Sequence, residues 1–284
     1  MPGIFLATDP QIVWLSDPLV LVPLATFAGI YVWRFREARR TAGPRGASGL
    51  HAAAFAGAML ALLAALVSPI EGLGDDYLFS AHMLQHLLLG DIAPLLLLLS
   101  LSRVMMRPAT RRLARVERAL GPFASPATGL VAWVVLMYAW HIPALYDAAL
   151  EHPVVHLLEH ASFFAAGVAV WWPLIQPVPM RRQLTGLQPV AYIGAAKFSM
   201  ALLGVFLTWN ATAIYSYYEN VPRIWNLTPV EDQNVGGVIM MIEQSVTFGV
   251  VLVAVFVQML IRSEREQRRR ERLEDAREQE LVSG

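Results

Sequence analysis

The chain has 284 residues, 56% of them hydrophobic and 15% charged, a balance that excludes an ordinary soluble domain and points to a protein crossing a membrane several times. Its 22 basic and 22 acidic residues cancel to a formal charge of zero, and no basic face for nucleic acid is indicated. There is no Cys, which excludes disulfides, thiolate metal sites and thiol nucleophiles and leaves His, Met, carboxylate and backbone oxygen as metal donors.

In chain order, the first ten residues lack the basic segment of a signal peptide, so the first apolar run is expected to be a retained anchor. Apolar runs near the ~20 residues needed to cross a hydrocarbon core fall at Pro18–Phe35, Leu50–Ile70, Leu78–Leu101, Thr128–Tyr146, Pro153–Ile175, Pro189–Trp209 and Val235–Ile261. The prediction is an all-α, seven-helix transmembrane bundle over residues 1–261. Arg34, Arg36, Arg39, Arg40 and Arg45 follow the first run, Arg103 to Arg118 the third, and Arg181 and Arg182 the fifth, while the intervening connections are acidic or poor in base. Because basic residues are retained on the cytoplasmic side, this alternation predicts an N-terminus outside and a C-terminus inside. Residues 262–284 carry dense charge of both signs, Arg268, Arg269, Arg270 and Arg272 before Glu274, Asp275, Glu278 and Glu280, and are expected to form a solvated cytoplasmic helical tail. Trp209, Tyr215, Tyr217, Tyr218 and Trp225, in the connection after the sixth run and its approach, are expected to form an interfacial belt.

Seven histidines are unevenly placed. His82 and His86 open the third run one helical turn apart, His141 ends the fourth beside Pro143, and His152, His156 and His160 open the fifth. On a helix, positions i and i+4 share a face. Pro153 suits the first helical position, which sets His156 and His160 on one face at nearly the depth of His86. A metal or cofactor site shared by His82, His86, His141, His156 and His160 is therefore expected toward the outer side, with Met240 as a candidate thioether ligand and Asp147, Glu159 and Asp232 as carboxylates placed to orient bound imidazoles. His51 lies at the opposite side and is read as an interfacial residue. Lys197, the single lysine, sits mid-span, and Asp91 and Glu243 lie at similar depth; an intramembrane Lys–carboxylate pair is expected.

The runs His82-Met83-Leu84-Gln85-His86 with Ala93-Pro94, Trp140-His141-Ile142-Pro143, His156-Leu157-Leu158-Glu159-His160 and Asp232-Gln233-Asn234-Val235-Gly236-Gly237 before Met240 resemble the CtaG family of cytochrome c oxidase assembly factors. The resemblance spans roughly Leu50 to Ile261 and departs from the family pattern at Met241, where a Trp is expected. It implies a multi-pass protein of the bacterial plasma (inner) membrane acting in heme-copper oxidase biogenesis, an assembly factor or metallochaperone rather than an enzyme, with copper as the metal and oxidase subunits or other copper chaperones as partners. A homodimer is left open. The alternatives are a heme-binding oxidoreductase of b-type cytochrome character, with His86 and His160 clamping the iron, and a zinc hydrolase using Glu159, for which the His-Glu-x-x-His order is missing. A transporter is disfavoured by the lack of repeats and paired broken helices.

Overall fold

The structure, a computed structural model, describes Trp14 and residues 17–283; the leading segment expected outside the membrane lies outside the described residues. Among the described residues ten helices of eight residues or more follow in order: α1 Pro18–Gly46, α2 Gly49–Leu66, α3 Pro69–Asp76, α4 Phe79–Ser100, α5 Arg103–Leu120, α6 Pro126–Trp140, α7 Pro143–Glu151, α8 Pro153–Ile175, α9 Gln188–Trp209 and α10 Pro229–Ser283. No strand occurs among the described residues. Short polar side chains open many of these helices: Asp17, Ser48, Ser68, Ser102 and Ser125 each accept a first-turn N–H, satisfying donors that have no partner inside the helix. His51 joins the cap of α2, its Nδ1 accepting the Ser48 N–H at 3.2 Å.

Among the described residues six helices are long and apolar enough to cross a membrane, and a seventh crossing is counted when α5 and α6, bent by 76°, are taken as one span. The fourth span therefore differs from the expected Thr128–Tyr146. Helix α6 stops at Trp140 and α7 restarts at Pro143, because proline lacks an N–H and disfavours helical backbone in the residue before it. The arginine-rich connection after α4 is likewise a helix, α5, with Met105 buried beneath it. The charged tail continues α10 without a break, as one helix of 55 residues.

Helix α4 is the axis of the bundle. In its most apolar window 72% of the residues are buried, against 39% or less in the other single-helix spans. Residues Leu88–Ile92 of α4 form a π-turn, in which the Ala93 N–H bonds back to the Leu88 carbonyl. Pro94 explains it: a proline has no N–H for the carbonyl four residues earlier and its ring crowds that carbonyl, here Gly90. The displaced Gly90 backbone packs directly against Gly167 of α8, where an added Cβ would collide with it and with the Pro94 ring. This glycine contact lets α4 and α8 approach closely, and both histidine pairs ride on those two helices.

Two apolar clusters flank the contact. Trp133, Phe163, Val170, Trp171, Ile193, Met200 and Phe248 fill the bundle toward the arginine-rich end, and Phe79, Met83, Tyr146, Leu207, Tyr215, Tyr218 and Met240 fill the histidine end. Tyr215 and Tyr218 are thus buried at 2% exposure, whereas Trp209 and Trp225 are 71% and 61% exposed. Only part of the expected aromatic belt faces outward; Tyr215 and Tyr218 turn in and roof the histidines, and Tyr217 is half-buried.

Candidate metal centre

Helical spacing brings the rings together as pairs. The His82 and His86 centroids are 4.2 Å apart on α4, and those of His156 and His160 are 4.0 Å apart on α8. Across the helices, His82 lies 5.5 Å from His156 and 6.2 Å from His160, and His86 lies 5.8 Å from His160. Glu159, on the same turn of α8, projects between them. Its Oε2 is 3.7 Å from His82 Nε2 and its Oε1 is 3.6 Å from His86 Nε2.

Each of His82, His86, Glu159 and His160 offers one donor atom, and these four atoms all lie within 4.8 Å of one another. All four residues are buried, none more than 8% exposed. Among the described residues, both ring nitrogens of His82 and of His86, both oxygens of Glu159 and Nε2 of His160 are buried without a hydrogen-bond partner. Buried polar groups are ordinarily satisfied, and leaving one unpaired costs about 1–3 kcal/mol. A metal ion at the middle would take one donor atom from each of the four residues. Donors held at about 2.0–2.1 Å by a tetrahedral metal stand roughly 3.3 Å apart, close to the carboxylate–imidazole separations here. Three imidazoles and a carboxylate suit a borderline metal such as zinc, copper or iron.

Sequence reasoning missed one group. Asp75, at the end of α3, sets Oδ1 3.4 Å from His82 Nδ1 and Oδ2 3.6 Å from His156 Nδ1, and it is 29% exposed. It links the buried centre to the surface, and with His82 and His156 forms a second three-group cluster of metal-binding type. Glu159, expected to orient an imidazole from behind, instead stands among the donors.

The other predicted residues are placed differently. The His141 ring nitrogen Nδ1 pairs with the Met137 carbonyl at 2.7 Å; the carbonyl can only accept, so Nδ1 carries the proton and the buried, unpartnered Nε2 keeps its lone pair. His141 lies outside the four-donor group and lines a small cavity beside it, together with His86 and Met240. His152 is exposed at the start of α8. Asp147 accepts from Ser216 at 2.6 Å and takes no part in the cluster. Asp232 holds the backbone instead of a ligand. Its carboxylate accepts the Phe79 and Ser80 N–H groups at 2.6 and 3.1 Å, capping from α10 the helix that carries His82 and His86.

Above the centre, the Tyr218 hydroxyl donates to the Gly74 carbonyl at 2.6 Å and the Tyr215 hydroxyl to the His141 carbonyl at 3.2 Å. Burial pushes both phenols well above their usual range, so both remain donors at any physiological pH. They pin the connection before α10 over the site.

The expected Lys–carboxylate pair is not formed. Lys197 Nζ donates to Ser245 Oγ at 2.7 Å, while Asp91 accepts from Gln244 Nε2 at 2.6 Å and Glu243 from Thr247 at 2.6 Å. Among the described residues Lys197 has no ion pair. Depth along a helix leaves azimuth free. Successive residues on α10 point about 100° apart, so Lys197 and Asp91 meet α10 on separate faces.

A family model described as cytochrome c oxidase caa3 assembly factor (Caa3_CtaG) matches residues 29–262, a range holding every residue of the centre. An uncharacterized protein of Mycobacterium leprae (strain TN) is 25% identical over 267 residues, which cover 87% of this chain and 39% of that protein. The chain thus spans well under half the length of this relative. No solved structure matches it.

Proposed function

The chain belongs to the Caa3_CtaG family of cytochrome c oxidase caa3 assembly factors, and from that premise we propose that it serves oxidase assembly by binding copper at the His82, His86, Glu159 and His160 centre and passing it on. The observation that carries this reading is the set of buried, mutually facing donor atoms without protein partners. Imidazole with nearby thioether favours copper among the borderline metals. Asp75, partly exposed to solvent, provides the entry, and His156 beside it the first nitrogen an incoming ion meets. An oxidase subunit or a copper chaperone is the partner that gives or takes the metal. The role is that of a metallochaperone, with no catalysed reaction.

A heme reading is supported less. A porphyrin between His86 and His160 needs a slot clear of side chains, and Glu159 and His82 stand in that space.

The arginine alternation orients the molecule in a bacterial plasma membrane with the histidine end outward and residues 262–284 in the cytoplasm as a tail on the membrane domain of residues 1–261. The absence of Cys makes this directly measurable. Asn220→Cys should react with a membrane-impermeant maleimide in intact cells stripped of outer membrane, and Arg115→Cys only after permeabilisation; the reverse pattern inverts the topology. For the function itself, protein purified anaerobically should carry stoichiometric copper and show no Soret band. Another metal in its place, or heme, would overturn the assignment.

A further inference from the structure

The small cavity beside the centre has a donor set of its own. Met83 of α4, Met137 of α6, Met200 of α9 and Met240 of α10 line it with His86 and His141. Asp91 and Gln244, each about one turn deeper along α4 and α10 than His86 and Met240, line it as well. Four of the chain's 11 methionines therefore converge from four helices on one space, and none is more than 6% exposed.

The polar lining is unsatisfied too. Among the described residues, His141 Nε2, both nitrogens of His86, Asp91 Oδ1 and Gln244 Oε1 are buried and without hydrogen-bond partners, and all four residues are at most 8% exposed. An empty apolar hole would be lined by apolar groups alone. Thioethers with one or two imidazoles select soft Cu(I) over the harder divalent ions.

We infer that the cavity walled by Met83, Met137, Met200 and Met240 is a second metal site, specific for Cu(I), joined to the His/Glu centre through His86, which belongs to both. The inference rests on the reading of the chain as a copper-handling protein. It adds a step inside the molecule: the ion enters on nitrogen and oxygen at Asp75 and Glu159 and moves inward onto sulfur.

The test is anaerobic titration of the full-length protein in detergent with Cu(I), in competition with a chromophoric Cu(I) chelator, followed by X-ray absorption at the copper edge. The wild type should take two equivalents and show sulfur scattering. The Met137→Leu, Met200→Leu double variant, nearly volume-conserving, should lose one equivalent and the sulfur signal while keeping copper bound by nitrogen and oxygen. Protein of unchanged sequence grown on selenomethionine should show copper–selenium scattering, which checks the same contact without a substitution. One equivalent in the wild type with neither sulfur nor selenium scattering would overturn the cavity site and leave the His/Glu centre standing. No copper under any condition would overturn both.

Discussion

The His86→Ala, His160→Ala double variant is expected to insert in the membrane at wild-type level and to hold no metal at the His/Glu centre. Losing a residue that merely orients a ligand costs about 10–100-fold in affinity; two of four direct donors should cost more than about 10⁴-fold by that measure. Insertion depends on apolar length, to which these rings add little. Cells carrying the variant should make oxidase subunits but lack oxidase activity. Glu159→Gln separates ligation from structure. It keeps the side-chain volume, removes the charge and gives the buried position a donor, so the metal-free variant should unfold at a higher temperature than metal-free wild type while binding metal at least tenfold more weakly. Functional sites are commonly less stable than they need be. Thermal unfolding with and without a chelator, beside metal analysis, reads both signs. Wild-type copper content and oxidase activity in the double variant would remove the centre from the function.

Gly167→Ala should be among the most damaging single-methyl changes in the protein. Its Cβ would meet the Gly90 carbonyl and the Pro94 ring, and since a backbone atom cannot rotate away, α4 and α8 must separate. Overpacking costs about 1–3 kcal/mol, and the upper end is expected. Because His156, Glu159 and His160 lie within about three turns of this contact on α8, metal affinity should fall with stability. Gly194→Ala on α9 is the control: nothing stands within 4 Å of its Cβ, and exchange of Gly for Ala in an open helical position stabilises slightly. Midpoints of heat inactivation in detergent compare the two. Equal midpoints would show that the helices tolerate a wider spacing.

The histidine pairs were legible because i, i+4 spacing is a local property, and Pro153 announced the start of their helix. Pro143 marks the break after Trp140, but the apolar run continues to Tyr146 and so reads as one span. Asp75 was not legible, since a carboxylate on a short helix reads as a solvated end until α3 folds back over His82. Lys197 failed for a related reason: hydropathy gives depth, and pairing needs azimuth as well. Helix α5 was hidden by its arginines, whose number drew the reading toward charge placement and away from the period that buries Met105.

The partly exposed position of Asp75 has a consequence for electroneutrality. In a buried site of low dielectric, net charge is costly, and with metal bound Glu159 supplies a single negative charge. A monovalent ion is thereby balanced without Asp75. A divalent ion leaves one charge uncompensated, which draws in the nearest carboxylate, and Asp75 already rests 3.4 Å from His82. On the proposed copper reading, the charge of the bound ion would then set how closely Asp75 approaches His82, with a tighter entrance around a divalent ion than around a monovalent one.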